Sequence, residues 1–192
     1  MLNLEKYKVL LASNSPRRRE LLTQLCIEFE IAPAIEIDEC FPRTMPIKEV
    51  ASYLSCLKAN AYKSLIDSNQ LIITADTVVL NGNEVLGKPK NQSEAILMLK
   101  SLSGCVHDVI TGVTITTKDK QVTFSVETKV EFAQLEDDEI EWYVKSFLPL
   151  DKAGAYGIQE WIGCIGVKSI NGSFYNVMGL PLHRLYNELK HF

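Results

Sequence analysis

The sequence predicts an α/β fold built on a mixed sheet with flanking helices. Strand-like apolar runs alternate along the chain with segments of helical period. The helical segments open on recognisable caps, which separates them from the runs before them. A long hairpin interrupts the alternation, so antiparallel pairing must accompany any parallel strands. No linker, internal repeat or low-complexity tract breaks the chain, and residues 1–192 read as one domain.

The elements follow in order. Residues 8–12 form a short apolar run, read as a buried strand. Ser15-Pro16 opens a helix, because serine is a good N-cap and proline suits the first helical position. Residues 27–33 predict a second strand. Pro46 opens a longer helix in which Val50, Leu54, Leu57, Ala61 and Leu65 recur at helical spacing. Residues 71–80 are β-rich and turn at Asn81-Gly82. Asn91 and Glu94 form a capping pair for a helix over 96–102, which Gly104 closes. Residues 106–116 and 121–133 predict the hairpin, turned by Lys118-Asp119-Lys120. In its second strand Val122, Phe124, Val126, Val130 and Phe132 keep the strand period. Residues 136–147 predict a helix whose first turn carries Glu136, Asp137, Asp138 and Glu139, complementing its dipole. Residues 148–163 read as loop, 164–170 as a strand, and a last helix follows Pro181.

Bulk properties narrow the function. With 46% hydrophobic residues, a chain of this length buries a core without staples, since such chains hide roughly 70% of their unfolded surface. A net charge of −4 argues against nucleic-acid or membrane-surface binding, which call for a basic balance. No run approaches the ~18 apolar residues of a membrane span, and the opening residues hold no apolar stretch long enough for a signal peptide. Cys26, Cys40, Cys56, Cys105 and Cys164 are odd in number, far apart and without a CxxC, so neither a disulfide framework nor a zinc site is signalled. The expected compartment is the cytoplasm.

The first glycine is Gly82, and neither GxGxxG nor GxxxxGK[ST] occurs anywhere. A phosphate site near the N-terminus must use other chemistry, and Ala12-Ser13-Asn14-Ser15-Pro16-Arg17-Arg18 offers it. A strand ends, hydroxyls are presented, and a helix begins with free N–H groups. Three of the five arginines, Arg17 to Arg19, stand at this junction. Cations there oppose the helix dipole unless an anion is bound. A polyphosphate gripped by arginine forks fits; so does a solvated basic turn paired with acidic neighbours.

Asp76 lies inside Leu71-Ile72-Ile73-Thr74-Ala75-Asp76-Thr77-Val78-Val79, where a carboxylate needs a partner, a metal or a function. The alternative is an Asp at a strand end bonded to Thr74 or Thr77. Asp38-Glu39 after the second strand could help hold magnesium, or be merely solvated. Gly87-Lys88-Pro89 stiffens the chain behind a cation, and is weak evidence alone. In Asp151-Lys152-Ala153-Gly154-Ala155-Tyr156-Gly157-Ile158-Gln159, small residues flank a polar tip that lets a ligand approach the backbone. A glutamine amide sets a donor beside an acceptor, the pattern that reads a uracil or thymine edge. A tight turn that merely needs glycine explains the same loop.

Together these residues resemble the Maf family of nucleotide pyrophosphatases. The resemblance runs from LASNSPRRRELL through ITADTVV, GKP, LKSLSGCVHDVITGV and DKAGAYGIQ to INGSFYNVMGLPL. It implies a two-lobed mixed α/β fold around a central cleft, a divalent metal (Mg²⁺ or Mn²⁺) and a homodimer. It also implies cleavage of a nucleoside triphosphate between its α- and β-phosphates. The loop ending in Gln159 is similar to that of the branch acting on dTTP and UTP; the branch acting on 7-methyl-GTP carries glutamate there. By the same resemblance Asp76 matches the family's proton acceptor, and Arg17, Thr77 and Gln159 its specificity positions. Ser13, Arg18, Lys58 and Lys88 match its phosphate contacts; Lys58 enters on the resemblance alone. Glu39 matches a recurring acid of the family, and its role beside Asp76 as a metal ligand is our inference. Two other functions compete: a nucleotide-binding regulator of cell division with little turnover, and a hydrolase of damaged purine triphosphates such as ITP.

Overall fold

A computed structural model describes residues 2–42 and 44–192. Its strands are β1 (Lys8–Leu11), β2 (Glu30–Ile31), β3 (Gln70–Asn81), β4 (Glu84–Leu86), β5 (Val106–Thr116), β6 (Gln121–Phe132) and β7 (Val167–Asn171). Its helices are α1 (Pro16–Gln24), α2 (Val50–Lys63), α3 (Gln92–Leu102), α4 (Asp137–Phe147), α5 (Trp161–Gly166), α6 (Phe174–Met178) and α7 (Leu182–Leu189). The seven-stranded sheet has the order β2-β1-β3-β5-β6-β7, with β4 paired to β3 off that path. β1 pairs in parallel with β2 and β3, whereas β3–β4 and β6–β7 are antiparallel. The mixed α/β class expected from the sequence is the one observed. Among the described residues, no helix is long and apolar enough to cross a membrane.

The chain divides into two compact units. The first comprises Met1–Asp76, Thr111–Val126 and Gly179–Phe192. Here Ser15 caps α1, its hydroxyl accepting the Arg18 N–H at 3.5 Å, with Pro16 in the first turn. The second strand is much shorter than predicted. Only Glu30 and Ile31 find register, opposite Leu10 and Leu11; Pro33 has no N–H for a ladder, and its carbonyl instead accepts the Tyr62 hydroxyl at 2.7 Å. Leu10, Ala32, Tyr62, Ile66 and Ile72 close a core over this edge. The apolar stripe of α2 also differs. The buried face is Val50, Ala51, Leu54, Ser55, Ala59 and Tyr62, while Leu65 falls past the helix end and is 66% exposed. The helix lies so close to β5 that a Cβ on Gly112 would meet the Ala51 carbonyl and Ser52 nitrogen at 2.3 Å. Buried hydroxyls line this approach: Thr74 donates to the Ser55 carbonyl at 2.7 Å, and the Ser55 and Thr114 hydroxyls are 3.0 Å apart.

The second unit comprises Thr77–Ile110 and Glu127–Met178. The Asn91–Glu94 cap forms, with Asn91 Oδ1 accepting the Glu94 N–H at 2.9 Å, and α3 starts at once at Gln92. In α4 the Glu139 carboxylate accepts the Glu136 N–H at 2.9 Å, so the acidic first turn is structural, as expected. Tyr143, Phe132, Leu99 and Leu102 are fully buried. The strand predicted over 164–170 is corrected: residues 161–166 are helix, and the strand starts only at Val167. Gly163 explains this. A Cβ there would sit 1.9 Å from the Ile158 carbonyl oxygen, so only glycine lets a helical turn fold back on the preceding loop. β4 and α6 are short elements that the sequence pattern did not disclose.

Candidate active site

In the first unit, Asp76 is held by α2. Thr74 of β3 already bonds Ser55 of α2. Three residues along a helix advance about 4.5 Å and two along a strand about 6.6 Å. That step sets Lys58 beside Asp76: Nζ donates to Asp76 Oδ1 at 2.6 Å. The same ammonium reaches Glu39 Oε2 at 2.9 Å. Lys58 and Asp76 are mostly shielded, with side chains 15% and 16% exposed, while Glu39 is half in solvent. Two carboxylates thus converge on one cation.

Arg18 closes the other side. Its Nε donates to the Gly179 carbonyl and its Nη1 to the Ala75 carbonyl, both at 2.8 Å, and Nη1 lies 3.5 Å from Ser13 Oγ. Burial presses the guanidinium below its ordinary value; Asp76 and Glu39 pull it up, and Arg17 pushes it down. Ser13 Oγ also accepts the Ser15 N–H at 3.2 Å, which shapes the turn into α1. Arg17 is half-buried in the first turn of α1. Asp38 turns elsewhere: it accepts the Cys40 thiol at 2.8 Å, and that bond raises the thiol pKa. Ser13, Arg18, Glu39, Lys58 and Asp76 therefore form one cluster in this unit. It combines a positioned carboxylate with cations, the parts needed to activate water beside a phosphate.

Thr77, Lys88 and Gln159 belong to the second unit. Thr77 is half-buried in β3, directly after Asp76, while Lys88 and Gln159 are exposed. The two loops that carry them are joined by main chain: Gly154 N–H donates to the Gly87 carbonyl at 3.1 Å. Residues to which the sequence assigned no role hold the Gln159 loop. Lys152, only 9% exposed, pairs with Asp151 at 2.8 Å and Glu160 at 3.1 Å. The Tyr143 hydroxyl donates to the Glu160 carboxylate and accepts the Gly157 N–H. His107, 2% exposed, meets the Tyr156 hydroxyl through Nε2 at 2.8 Å and lies edge-on to Phe132 and Tyr156. The sequence signal for these partners was thin: a lysine in a small-residue loop, and a tyrosine on the apolar face of α4.

The family described as "Maf-like protein" matches residues 8–192. The dTTP/UTP pyrophosphatase of Parabacteroides distasonis is 57% identical over 190 residues, spanning 99% of this chain and 98% of that protein. That of Phocaeicola vulgatus is 54% identical over 188 residues, 98% of this chain and 97% of that one. Among solved structures, the Ham1 protein of Staphylococcus aureus superposes with a TM-score of 0.54 over 94% of this chain and 99% of its own, at 18% identity. That likeness speaks for the fold alone.

Proposed function

The chain belongs to the Maf family, and from that premise we propose that it hydrolyses dTTP and UTP to the nucleoside monophosphate and pyrophosphate. The observation that carries the chemistry is the Asp76 carboxylate, set on β3 and held by the Lys58 ammonium at 2.6 Å. Asp76 takes the proton of the water that attacks the α-phosphorus. Lys58 orients that carboxylate; with Arg17, Arg18 and Lys88 it counters the charge of the departing pyrophosphate. Ser13 adds a hydroxyl to the phosphates. Gln159 reads the base, its carbonyl accepting from N3–H of uracil or thymine and its amide donating to a neighbouring carbonyl; Arg17 and Thr77 complete the selection.

A divalent cation, Mg²⁺ or Mn²⁺, fits the donors present. No group of three or more His, Cys, Asp or Glu able to hold a metal occurs among the described residues. Mg²⁺, however, is typically bound by one or two carboxylates with substrate phosphates and water. Glu39 and Asp76 converge on a single cation already, which supports them as that pair. Bound there, the ion would lower the pKa of the attacking water and spread phosphate charge.

The same proposal makes the protein a cytoplasmic homodimer that binds no nucleic acid. Five free cysteines suit a reducing compartment, and half-exposed Trp142, Phe147 and Leu148 suit a covered face. The test is a panel of UTP, dTTP, CTP, ITP and 7-methyl-GTP with Mg²⁺ or Mn²⁺, assayed separately for pyrophosphate and orthophosphate. Binding with negligible hydrolysis would favour a regulator, and preference for ITP a purine hydrolase; either result refutes the proposal.

A further inference from the structure

Gln159 is exposed, and a solvated glutamine on a glycine-rich loop is a poor reader of a base unless its backbone is fixed. The structure fixes it on both sides through one phenol. Tyr143, fully buried in α4, accepts the Gly157 N–H at 3.1 Å on one side of Gln159. Its hydroxyl proton goes to the Glu160 carboxylate on the other side. The second oxygen of that carboxylate meets Lys152 Nζ at 3.1 Å, and Asp151 balances the same ammonium at 2.8 Å. The main chain closes the ring: Glu160 N–H donates to the Gly157 carbonyl at 2.9 Å, and the Glu160 carbonyl accepts the Gly163 N–H of α5 at 2.9 Å. A Cβ on Gly157 would stand 2.7 Å from the Glu160 carboxyl carbon, so the glycine makes room for the clamp. Burial and the bond to Glu160 hold the Tyr143 phenol far above its ordinary pKa, so it remains a donor at any working pH.

We propose that Tyr143, Glu160 and Lys152 form a clamp that positions Gln159, and that base selectivity depends on it. This rests on the reading of Gln159 as the residue that meets the base. All three act through the loop that carries Gln159; they are positioning residues. Tyr143→Phe removes one hydroxyl from a ring that stays stacked on Phe147. Glu160→Ala removes the shared carboxylate, and Glu160→Gln keeps an acceptor for Tyr143.

The measurements are kcat and KM for UTP and CTP, with melting temperatures, on these variants, on Gln159→Ala and on Tyr143→Phe/Gln159→Ala. Tyr143→Phe and Glu160→Ala should each raise KM for UTP about tenfold with kcat changed less than about threefold. The UTP/CTP ratio of kcat/KM should fall toward that of Gln159→Ala, and Glu160→Gln should recover most of it. The double variant should be no less selective than Gln159→Ala alone. If Gln159→Ala loses selectivity while Tyr143→Phe and Glu160→Ala keep the wild-type ratio, the clamp is overturned and the base reading stands. A common fall in kcat at unchanged ratio also overturns it, since that is what general support of the fold would give. If Gln159→Ala itself keeps the ratio, the base reading fails and the clamp's role falls with it.

Discussion

Acid should loosen the second unit through His107. The imidazole is 2% exposed, packed edge-on between Phe132 and Tyr156, with Nε2 on the Tyr156 hydroxyl and no partner for Nδ1 among the described residues. Burial lowers its pKa from the ordinary 6.5 to about 4, and nearby Asp108 only partly offsets this. The unfolded chain therefore binds the proton more readily than the folded one. Stability from neutral His107 is fully present above pH 6.5 and is lost as pH falls toward 4. At about 1.4 kcal/mol per pH unit, the loss over that window is roughly 3 kcal/mol, a large fraction of a typical total of about 5–15 kcal/mol. Urea denaturation of wild type and His107→Gln at half-unit steps from pH 7.5 to 4.5 measures it, because glutamine can still meet Tyr156 and does not titrate. The wild-type midpoint should fall much more steeply than the variant's. Parallel profiles would refute the assignment of this acid lability to His107.

The remaining expectations concern the site and one packing contact. Asp76→Asn should lower turnover of UTP by about 10²–10⁴-fold, the usual loss of a general base, with a melting temperature within a few degrees of wild type. Products from UTP should be UMP and pyrophosphate, with EDTA stopping the reaction and Mg²⁺ restoring it; orthophosphate and UDP would place the cleavage elsewhere. Gln159→Glu should depress UTP and dTTP turnover far more than it depresses the melting temperature; an equal loss on all five triphosphates of the panel would mean that Gln159 only supports its loop. Gly112→Ala should destabilise the first unit by at least the ~1–3 kcal/mol of overpacking, since its methyl would meet α2 backbone at 2.3 Å. An unchanged thermal midpoint would show that α2 yields there.

Asp76 was legible because a carboxylate in an apolar strand is costly by itself, whatever surrounds it. Its partner was not. Lys58 shares the inward side of α2 with Ser55, Ala59 and Tyr62, but the stripe read from the sequence ran through Val50, Leu54, Leu57, Ala61 and Leu65, which left Lys58 at its edge. Once Ser55 is known to meet Thr74, the contact of Lys58 with Asp76 follows from helix and strand rise. That pairing is long-range information, which no window of local sequence holds. The same holds for the Gln159 loop, whose glycines marked it as close-packed while Tyr143 lay in a helix 16 residues upstream. Strand β2 failed for a local reason instead: Pro33 ended it, and apolar content alone overstated its length.

Arg18 changes how the first loop is understood. Three arginines at a helix N-terminus are electrostatically unfavourable, and from sequence that cost pointed to a bound anion. For Arg18 the protein provides compensation of its own. The guanidinium bonds the Gly179 and Ala75 carbonyls at 2.8 Å, and the Asp76 and Glu39 carboxylates favour its charge. The dipole argument therefore does not by itself require a phosphate at Arg18. What the geometry supports is a cation tied to the main chain next to Asp76, so that any phosphate reaching the cluster meets a charge already fixed in place. A preorganised cation stabilises developing charge without reorganising during the reaction. Lys88, by contrast, is exposed on its loop. Under the proposed function, this fixed charge is the feature of Arg18 that would act on the transition state.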